Sequence, residues 1–284
     1  MSRTAALSIY VSDGVNAELK NTIVGVFENL AKKTVSGRLK SKNGEYNQKT
    51  GSLEFKRFAN AERKAYGTAR EAGAGTKVKA PPVVVNLDRN SEIVEEVNAF
   101  DGATFTNEDL QSFLKRRKTS HAMSVERDLD REFFLAGKNG GTKGADVSKS
   151  KKLKSELGAI AVQLESTKND YVDGVDREQM AWVLSPALHQ LVKDELNDCY
   201  NFSGTAEDEV IKGLDGIAVY SSNRLPEGVD YMLITMDAIA QPVMLSDALV
   251  EKIPLSHEFA VEIFWRNGTK VIAPELVIYG GVTA

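Results

Sequence analysis

The chain has one cysteine, Cys199, and three histidines, His121, His189 and His257, in 284 residues. One cysteine cannot close an internal disulfide, so nothing in the sequence asks for an oxidising compartment. The histidines lack the short helical spacing of a metal site, and a shared site would need the fold to bring them together. No apolar run reaches the roughly 18 to 20 residues of a membrane span, and residues 1–10 lack the basic-then-apolar pattern of a secretory signal. The expectation is a soluble protein with no membrane partner, placed by default in the cytoplasm. Positive charge is also in short supply: 36 Lys and Arg against 40 Asp and Glu leave a formal charge of −4, so no global field draws the chain to nucleic acid or anionic lipid. Glycine and proline, 22 and 7, are too few and too irregular for a fibrous repeat, and no fixed period recurs. With 42% hydrophobic and 27% charged residues, the length suffices for one large domain or two modest ones with real cores.

The charge that is present is unevenly spread. Residues 32–79 hold 13 Lys or Arg against 4 Asp or Glu, whereas residues 86–110 hold 7 acids against 1 base and residues 194–230 hold 9 against 2. The basic segment is poor in core-forming side chains, with no aliphatic residue in the run 41–51. Alternation around Leu53 and Phe55, with Gly44 and Gly51 as turn formers, predicts an extended two-stranded arm whose tip faces solvent or another molecule. A basic surface loop is the plainer alternative.

The rest of the chain reads as mixed α+β. The apolar run 83–87, bounded by Pro81, Pro82 and Asp88, predicts a strand. Ala122, Val125, Leu129, Phe133 and Ala136 lie at helical spacing and predict a half-exposed helix over 119–136. Residues 137–150 are rich in Gly, Lys and Ser and read as a loop or boundary. Leu153, Leu157, Ile160 and Leu164 predict a helix, and residues 179–184 a buried strand. Ser185 and Pro186 suit the cap and first position of the next helix. Strands are expected at 217–220 and 231–235 and a short helix at 246–251. A terminal hairpin is expected in which 259–265 turns at Asn267 and Gly268 and returns over 270–279.

Catalytic chemistry finds little support. His189 reads as a helix residue and His257 as part of a turn. Cys199 lies near Asp194, Glu195 and Asp198, company that disfavours a thiolate. Residues 137–144, GKNGGTKG, lack the spacing of a phosphate-binding loop and follow a helix. Asp128 and Asp130, or Glu207, Asp208 and Glu209, could bind a divalent cation only with further ligands, and acid runs on solvated faces are far commoner. Asp128 and Asp130, two apart, do not share a helix face. The chain is therefore expected not to be an enzyme and to need no cofactor or metal. The basic segment, where Lys40, Lys42, Lys49, Lys56, Arg57, Arg63, Lys64 and Arg70 lie near Tyr46, Phe55, Phe58 and Tyr66, could serve a nucleic-acid-binding module over residues 32–79. It equally suits an acidic neighbour, including a second copy of this chain.

Several stretches resemble the major capsid proteins of tailed bacteriophages, whose fold is shared with encapsulin shells. Residues 213–226, GLDGIAVYSSNRLP, look like the glycine, short strand, Ser-Asn and Leu-Pro passage of many such coat proteins. Residues 181–196, AWVLSPALHQLVKDEL, resemble their strand, Ser-Pro and capped helix. Residues 231–243 resemble the strand leading to an Ala-rich turn, and 270–279, KVIAPELVIY, their final strand. These passages cover just under a fifth of the chain, 53 of 284 residues, and none is a catalytic signature.

The resemblance implies an N-terminal arm over 1–36 and an extended loop over 37–79 that reaches across an adjacent subunit. It implies a peripheral domain over 80–150 with its spine helix at 119–136, an axial domain over 151–245, and a return to the peripheral sheet over 246–284. The strand at 83–87 and the terminal strands would share that sheet. Lys40, Lys42, Lys49, Lys56, Arg57 and Arg63 would make the inter-subunit contacts of the loop. The implied function is a coat subunit that assembles with itself as pentamers and hexamers into an icosahedral shell around double-stranded DNA, touched only weakly. The implied partners are a portal protein, a separate scaffolding protein and a decoration protein. The implied location is the virion, after assembly in the host cytoplasm. No fused scaffolding segment and no autocatalytic cross-link are expected.

Overall fold

The computed structural model describes residues 34–47, 52–61, 65–66, 77–97, 107–149, 152–199, 213–252 and 259–283. In chain order these form α1 (Val35–Leu39), β1 (Gly44–Asn47), β2 (Ser52–Lys56), β3 (Pro82–Asn86), β4 (Arg89–Val97), α2 (Asn107–Gly140), β5 (Thr142–Lys143) and β6 (Val147–Ser148). There follow α3 (Leu153–Glu165), β7 (Met180–Leu184), α4 (Pro186–Cys199), β8 (Gly213–Leu214), β9 (Ile217–Ser221), β10 (Tyr231–Thr235) and β11 (Ile239–Ala240). The chain closes with β12 (Val243–Lys252), β13 (Phe259–Asn267), β14 (Lys270–Val271), β15 (Val277–Gly280) and β16 (Val282–Thr283).

Two compact units divide these elements. One comprises Met1–Arg38, Asn86–Asp130 and Gln241–Gly268, and the other Leu39–Val85, Arg131–Ala240 and Thr269–Ala284. Within the first, β4, β13 and β12 form an antiparallel sheet with β13 in the middle. Val125 and Leu129 of α2 bury against Ile263 and Trp265 of β13, with Ile93, Ala122 and Val243 around them. The second unit centres on a six-stranded sheet ordered β5-β15-β10-β7-β9-β8. Strands β7 and β10 are buried at every position, as strands covered on both faces must be. Leu153, Leu157, Ile160 and Leu164 of α3 and Leu188 and Val192 of α4 pack in one apolar cluster with Trp182, Tyr231 and Leu233. The Ser185 hydroxyl accepts from the Leu188 N–H at 3.3 Å and Pro186 opens α4, as the sequence implies.

Several expectations are revised. The helix expected over 119–136 runs 34 residues, Asn107–Gly140. Its early turns are written in good helix formers such as Leu110, Lys115, Arg116 and Lys118, without the stripe that marks the later ones. Its last turns enclose Gly137, where a Cβ would come within 2.9 Å of the Met232 sulfur, so glycine lets the helix approach β10. Residues 137–150 are accordingly not one loop: the helix end is followed by β5, parallel to β15, and β6, parallel to β16. The helix expected at 246–251 is part of β12, held over its length by β13; tertiary pairing overrides local preference there. The terminal hairpin does not form. Strand β13 lies between β12 and β4, β14 pairs with β11, and β15 joins β10. Pro274, which has no N–H to give a ladder, opens a 3-10 turn that separates β14 from β15. The strand at 83–87, observed as β3, pairs with the β1–β2 hairpin and not with the terminal strands.

Candidate assembly surface

The two-stranded arm is present as read from the sequence. β1 and β2 pair in register Gly44 with Phe55, Glu45 with Glu54, Tyr46 with Leu53 and Asn47 with Ser52. Its root belongs to the body of its own unit. Leu39 is fully buried, the Asp237 N–H donates to the Leu39 carbonyl at 3.2 Å, and the Ser41 N–H donates to the Ile239 carbonyl at 2.8 Å. Phe55 packs with Val85 and Ala240. Beyond β2, the Ala59 N–H donates to the Lys79 carbonyl at 2.9 Å and the Asn60 N–H to the Asp170 carbonyl at 2.8 Å. The expectation that residues 37–79 add little to their own core is therefore corrected at the root: Leu39 and Phe55 are the apolar side chains that seat it.

The six cations assigned to the arm fall into different settings. Lys49 and Arg63 lie outside the described residues. Lys40 is half-buried, and burial, followed by the charge of Lys42, lowers its pKa. Lys42 is exposed. Lys56 pairs with Glu45 across the hairpin at 2.6 Å, and that hydrogen bond raises its pKa. Arg57 is engaged within its own chain. Its guanidinium pairs with Glu275 and stands 4.6 Å from the centroid of the Tyr171 ring, and Asn169 Nδ2 donates to the same Glu275 oxygen at 2.8 Å. Burial, the largest single influence, pushes the Glu275 carboxyl up, but hydrogen bonds from Arg57, its own backbone N–H and Asn169, with the Arg57 charge, together hold it below the ordinary value. Glu275, Asn169 and Tyr171 were not singled out in the sequence. They stand more than a hundred positions from Arg57, and no local motif links them to it.

What the arm leaves uncovered is apolar as well as basic. Phe58 is 61% exposed, Val78 79% and Tyr66 90%, and Lys77 and Lys79 are exposed beside Val78.

The other singled-out residues do not converge. His121 is buried with its Nε2 2.7 Å from Glu95 Oε2, while His189 is half-buried on α4, where burial and then Lys193 lower its pKa. His257 and Glu207, Asp208 and Glu209 lie outside the described residues. Asp130 is buried and accepts from the Ser36 N–H at 3.0 Å, a structural use that draws it away from any shared site with Asp128. Among the described residues no group of three His, Cys, Asp or Glu side chains could hold a metal ion, and no helix is long and apolar enough to cross a membrane.

No protein-family model matches the chain, and no curated protein matches it by sequence. Solved structures do match. The capsid structure of cyanophage P-SCSP1u superposes with a TM-score of 0.64 at 13% identity, covering 88% of this chain and 88% of that one. A chain of Mycobacterium phage Che8 gives 0.59 at 14% identity, over 85% of this chain and 93% of that one. The virus-like particle of Pyrococcus furiosus gives 0.53 at 10% identity, over 93% and 97%. The α+β fold is that of phage capsid chains. At these identities the likeness is one of backbone architecture, and the side chains of the arm are this chain's own.

Proposed function

We propose that this chain is the major capsid protein of a tailed bacteriophage, a non-enzymatic subunit that assembles with itself as pentamers and hexamers into the icosahedral head shell enclosing double-stranded DNA. The observation that carries the reading is the fold, matched over 88% of both chains by the capsid of cyanophage P-SCSP1u. In this reading the β4–β13–β12 sheet with the first part of α2 is the peripheral domain and α2 its spine helix. The six-stranded sheet with α3 and α4 is the axial domain. Residues 1–36 are an N-terminal arm, and residues 37–79 are the extended loop, anchored at its root and reaching to an adjacent subunit. A portal protein and a separate scaffolding protein are the partners this reading assigns, with a decoration protein an optional addition to the finished shell. The net charge of −4 suits a wall that touches its packaged DNA weakly. The mature location is the virion, after assembly in the host cytoplasm.

Electron microscopy of the purified protein at high concentration, alone and with a scaffold, tests the reading. Rings or closed shells are expected, and monomers persisting under every assembly condition would overturn it. Binding of the free subunit to single-stranded DNA that weakens steeply with salt would instead favour a nucleic-acid-binding module built on residues 32–79.

A further inference from the structure

Three asparagines of the chain are followed directly by glycine: Asn43, Asn139 and Asn267. An asparagine so placed can lose its side-chain amide without any enzyme. The backbone nitrogen of the next residue attacks Cγ, and a glycine has no side chain to block the approach. The fold treats the three pairs differently. Asn139 and Gly140 end α2, where the helical backbone aims the Gly140 N–H along the axis, and helical bonding runs on through the Gly141 N–H to the Gly137 carbonyl at 2.9 Å. Asn267 is buried at the end of β13, and the Gly268 N–H donates to the Pro242 carbonyl at 3.3 Å. Neither glycine nitrogen can turn onto the amide carbon beside it while these bonds hold.

Asn43 stands in the opposite situation. Residues 41–43 form neither helix nor strand, Asn43 is exposed, and its side chain makes no hydrogen bond to a described residue. Gly44 opens β1 opposite Phe55, and a Cβ on it would come within 2.7 Å of the Phe55 ring. Phe55 is one of the buried side chains that seat the arm, so packing requires a glycine at 44 and thereby keeps the reactive pair in place. Exposed Lys42 directly precedes Asn43, and Lys40 lies two residues further back. Cations close in sequence favour the negative charge that develops on the attacking nitrogen and on the amide oxygen.

We propose that Asn43 is a site of spontaneous modification, converted through a succinimide to a mixture of aspartate and isoaspartate. The Gly44 nitrogen gives its proton to solvent base and bonds to Asn43 Cγ, and the Cγ–Nδ2 bond breaks as Nδ2 departs as ammonia. Water then opens the five-membered ring. Cleavage between the nitrogen and Cγ leaves aspartate, and cleavage between the nitrogen and the Asn43 backbone carbonyl carbon leaves isoaspartate. One water is consumed and one ammonia released, with no oxidant or reductant. Either product sets a new carboxylate beside Lys42, so the positive excess of residues 32–79, 13 cations against 4 acids, falls by one. The isoaspartyl form also adds a carbon to the backbone between Ser41, whose N–H donates to the Ile239 carbonyl at 2.8 Å, and the first pair of the β1–β2 ladder. The change therefore falls on the root of the arm, and it takes place whether or not the chain builds a shell.

The test uses the full-length protein, held for days at neutral pH and physiological temperature, then digested and mapped by mass spectrometry. The peptide bearing Asn43 should gain the mass that separates an acid from an amide, in two chromatographically distinct products. Its rate should exceed those of the peptides bearing Asn139 and Asn267 by at least about tenfold, because local structure protects the other two pairs. One of the two products should accept a methyl group from an isoaspartate methyltransferase. In urea the three rates should converge, since unfolding removes the protection. Asn43→Gln, a change confined to an exposed side chain, should abolish the mass gain in this peptide, because glutamine would have to close a larger ring. Conversion at Asn43 no faster than at Asn139 or Asn267 in the folded protein would overturn the proposal. A gain that persists in Asn43→Gln would overturn it too, by placing the reaction at another residue, and a gap that survives unchanged in urea would refute the fold as its cause.

Discussion

Replacing Arg57 by alanine separates the fixed root of the arm from its outer part. The guanidinium pairs with Glu275, both side chains being only about a fifth to a quarter exposed (18% and 25%), and it lies 4.6 Å from the Tyr171 ring centroid. An exposed pair contributes about 0 to 1 kcal/mol and breaking a fully buried one costs about 3 to 5, so this intermediate pair together with its aromatic contact should be worth about 2 kcal/mol. Against a global stability of about 5 to 15 kcal/mol, the subunit stays folded. The loss should be local, because the backbone beside Arg57 is held by two hydrogen bonds, Ala59 to Lys79 and Asn60 to Asp170, whose opening the side-chain node opposes. Amide hydrogen exchange followed by mass spectrometry should therefore show residues 57–60 exchanging up to about thirtyfold faster in Arg57→Ala, with amides of β7 and β10 unchanged. Assembly should slow in parallel, since a loosened root widens the range of directions in which the arm can point. Unchanged exchange at residues 57–60 would show that the node does not hold the root. Equal acceleration throughout the six-stranded sheet would show that Arg57 supports the whole unit instead.

The same node should be visible in acid. Because the folded pKa of Glu275 lies below its ordinary 4.5, its contribution is present above that value and disappears as pH falls through the folded pKa. The stability difference between the wild type and Glu275→Gln, measured by urea unfolding, should shrink below pH 4.5, and a gap that stays constant down to complete acid unfolding would refute this. At the alkaline end, burial and then Asp146 push the Tyr231 phenol up to about 12, while its hydroxyl donates to the Ala145 carbonyl. A raised folded value means stability that is complete below the unfolded pKa of about 10 and lost as pH climbs towards 12. Tyr231→Phe should cost about 1 kcal/mol near neutrality for the missing hydrogen bond yet resist alkaline unfolding better, and parallel alkaline profiles would contradict the assignment. Gly280→Ala should destabilise by about 1 to 3 kcal/mol, because its Cβ would come within 2.6 Å of the buried Tyr231 ring, and a neutral thermal melt would show that the ring can move aside.

Elements marked by local signals were legible in the sequence. The Ser185–Pro186 start of α4, the stripe on α2 from Ala122 to Phe133, the buried strand β7 and the β1–β2 hairpin each depend on spacing or on a cap that neighbouring residues supply. Strand β4 was not legible because a carboxylate spoils its alternation. Ile93 and Glu95 both turn towards α2, and Glu95 is tolerated there because buried His121 stands 2.7 Å away, a partner that only the fold brings near. Strand β12 reads locally as a short helix and becomes a strand because β13 lies beside it. The arm shows the same division. Its extended form and basic character were legible, but the division of its cations was not, since Glu275, 218 positions from Arg57, decides which charge is consumed within the subunit.

That division sorts changes in the arm into two kinds, and the contrast between them is itself testable. Leu39 is fully buried and Phe55 is 4% exposed, packed with Val85 and Ala240, so Leu39→Ala or Phe55→Ala should cost about 2 to 5 kcal/mol and lower the midpoint of chemical unfolding of the free subunit. Exchanging Lys42, Lys77 and Lys79 for glutamate touches only exposed side chains, and surface changes of that sort stay within about 0.5 kcal/mol apiece. If the exposed cations Lys42, Lys77 and Lys79 serve a neighbour, the first kind of change should unfold monomers and so prevent assembly indirectly. The second should leave the monomer's unfolding curve in place and still abolish shells. Both quantities come from one preparation, by denaturant titration followed by fluorescence and by sedimentation of assembled particles. Were the three glutamate exchanges to lower subunit stability as much as Leu39→Ala does, these cations would be a structural part of their own subunit. The reach towards an adjacent copy would then have no basis in the charges of residues 32–79.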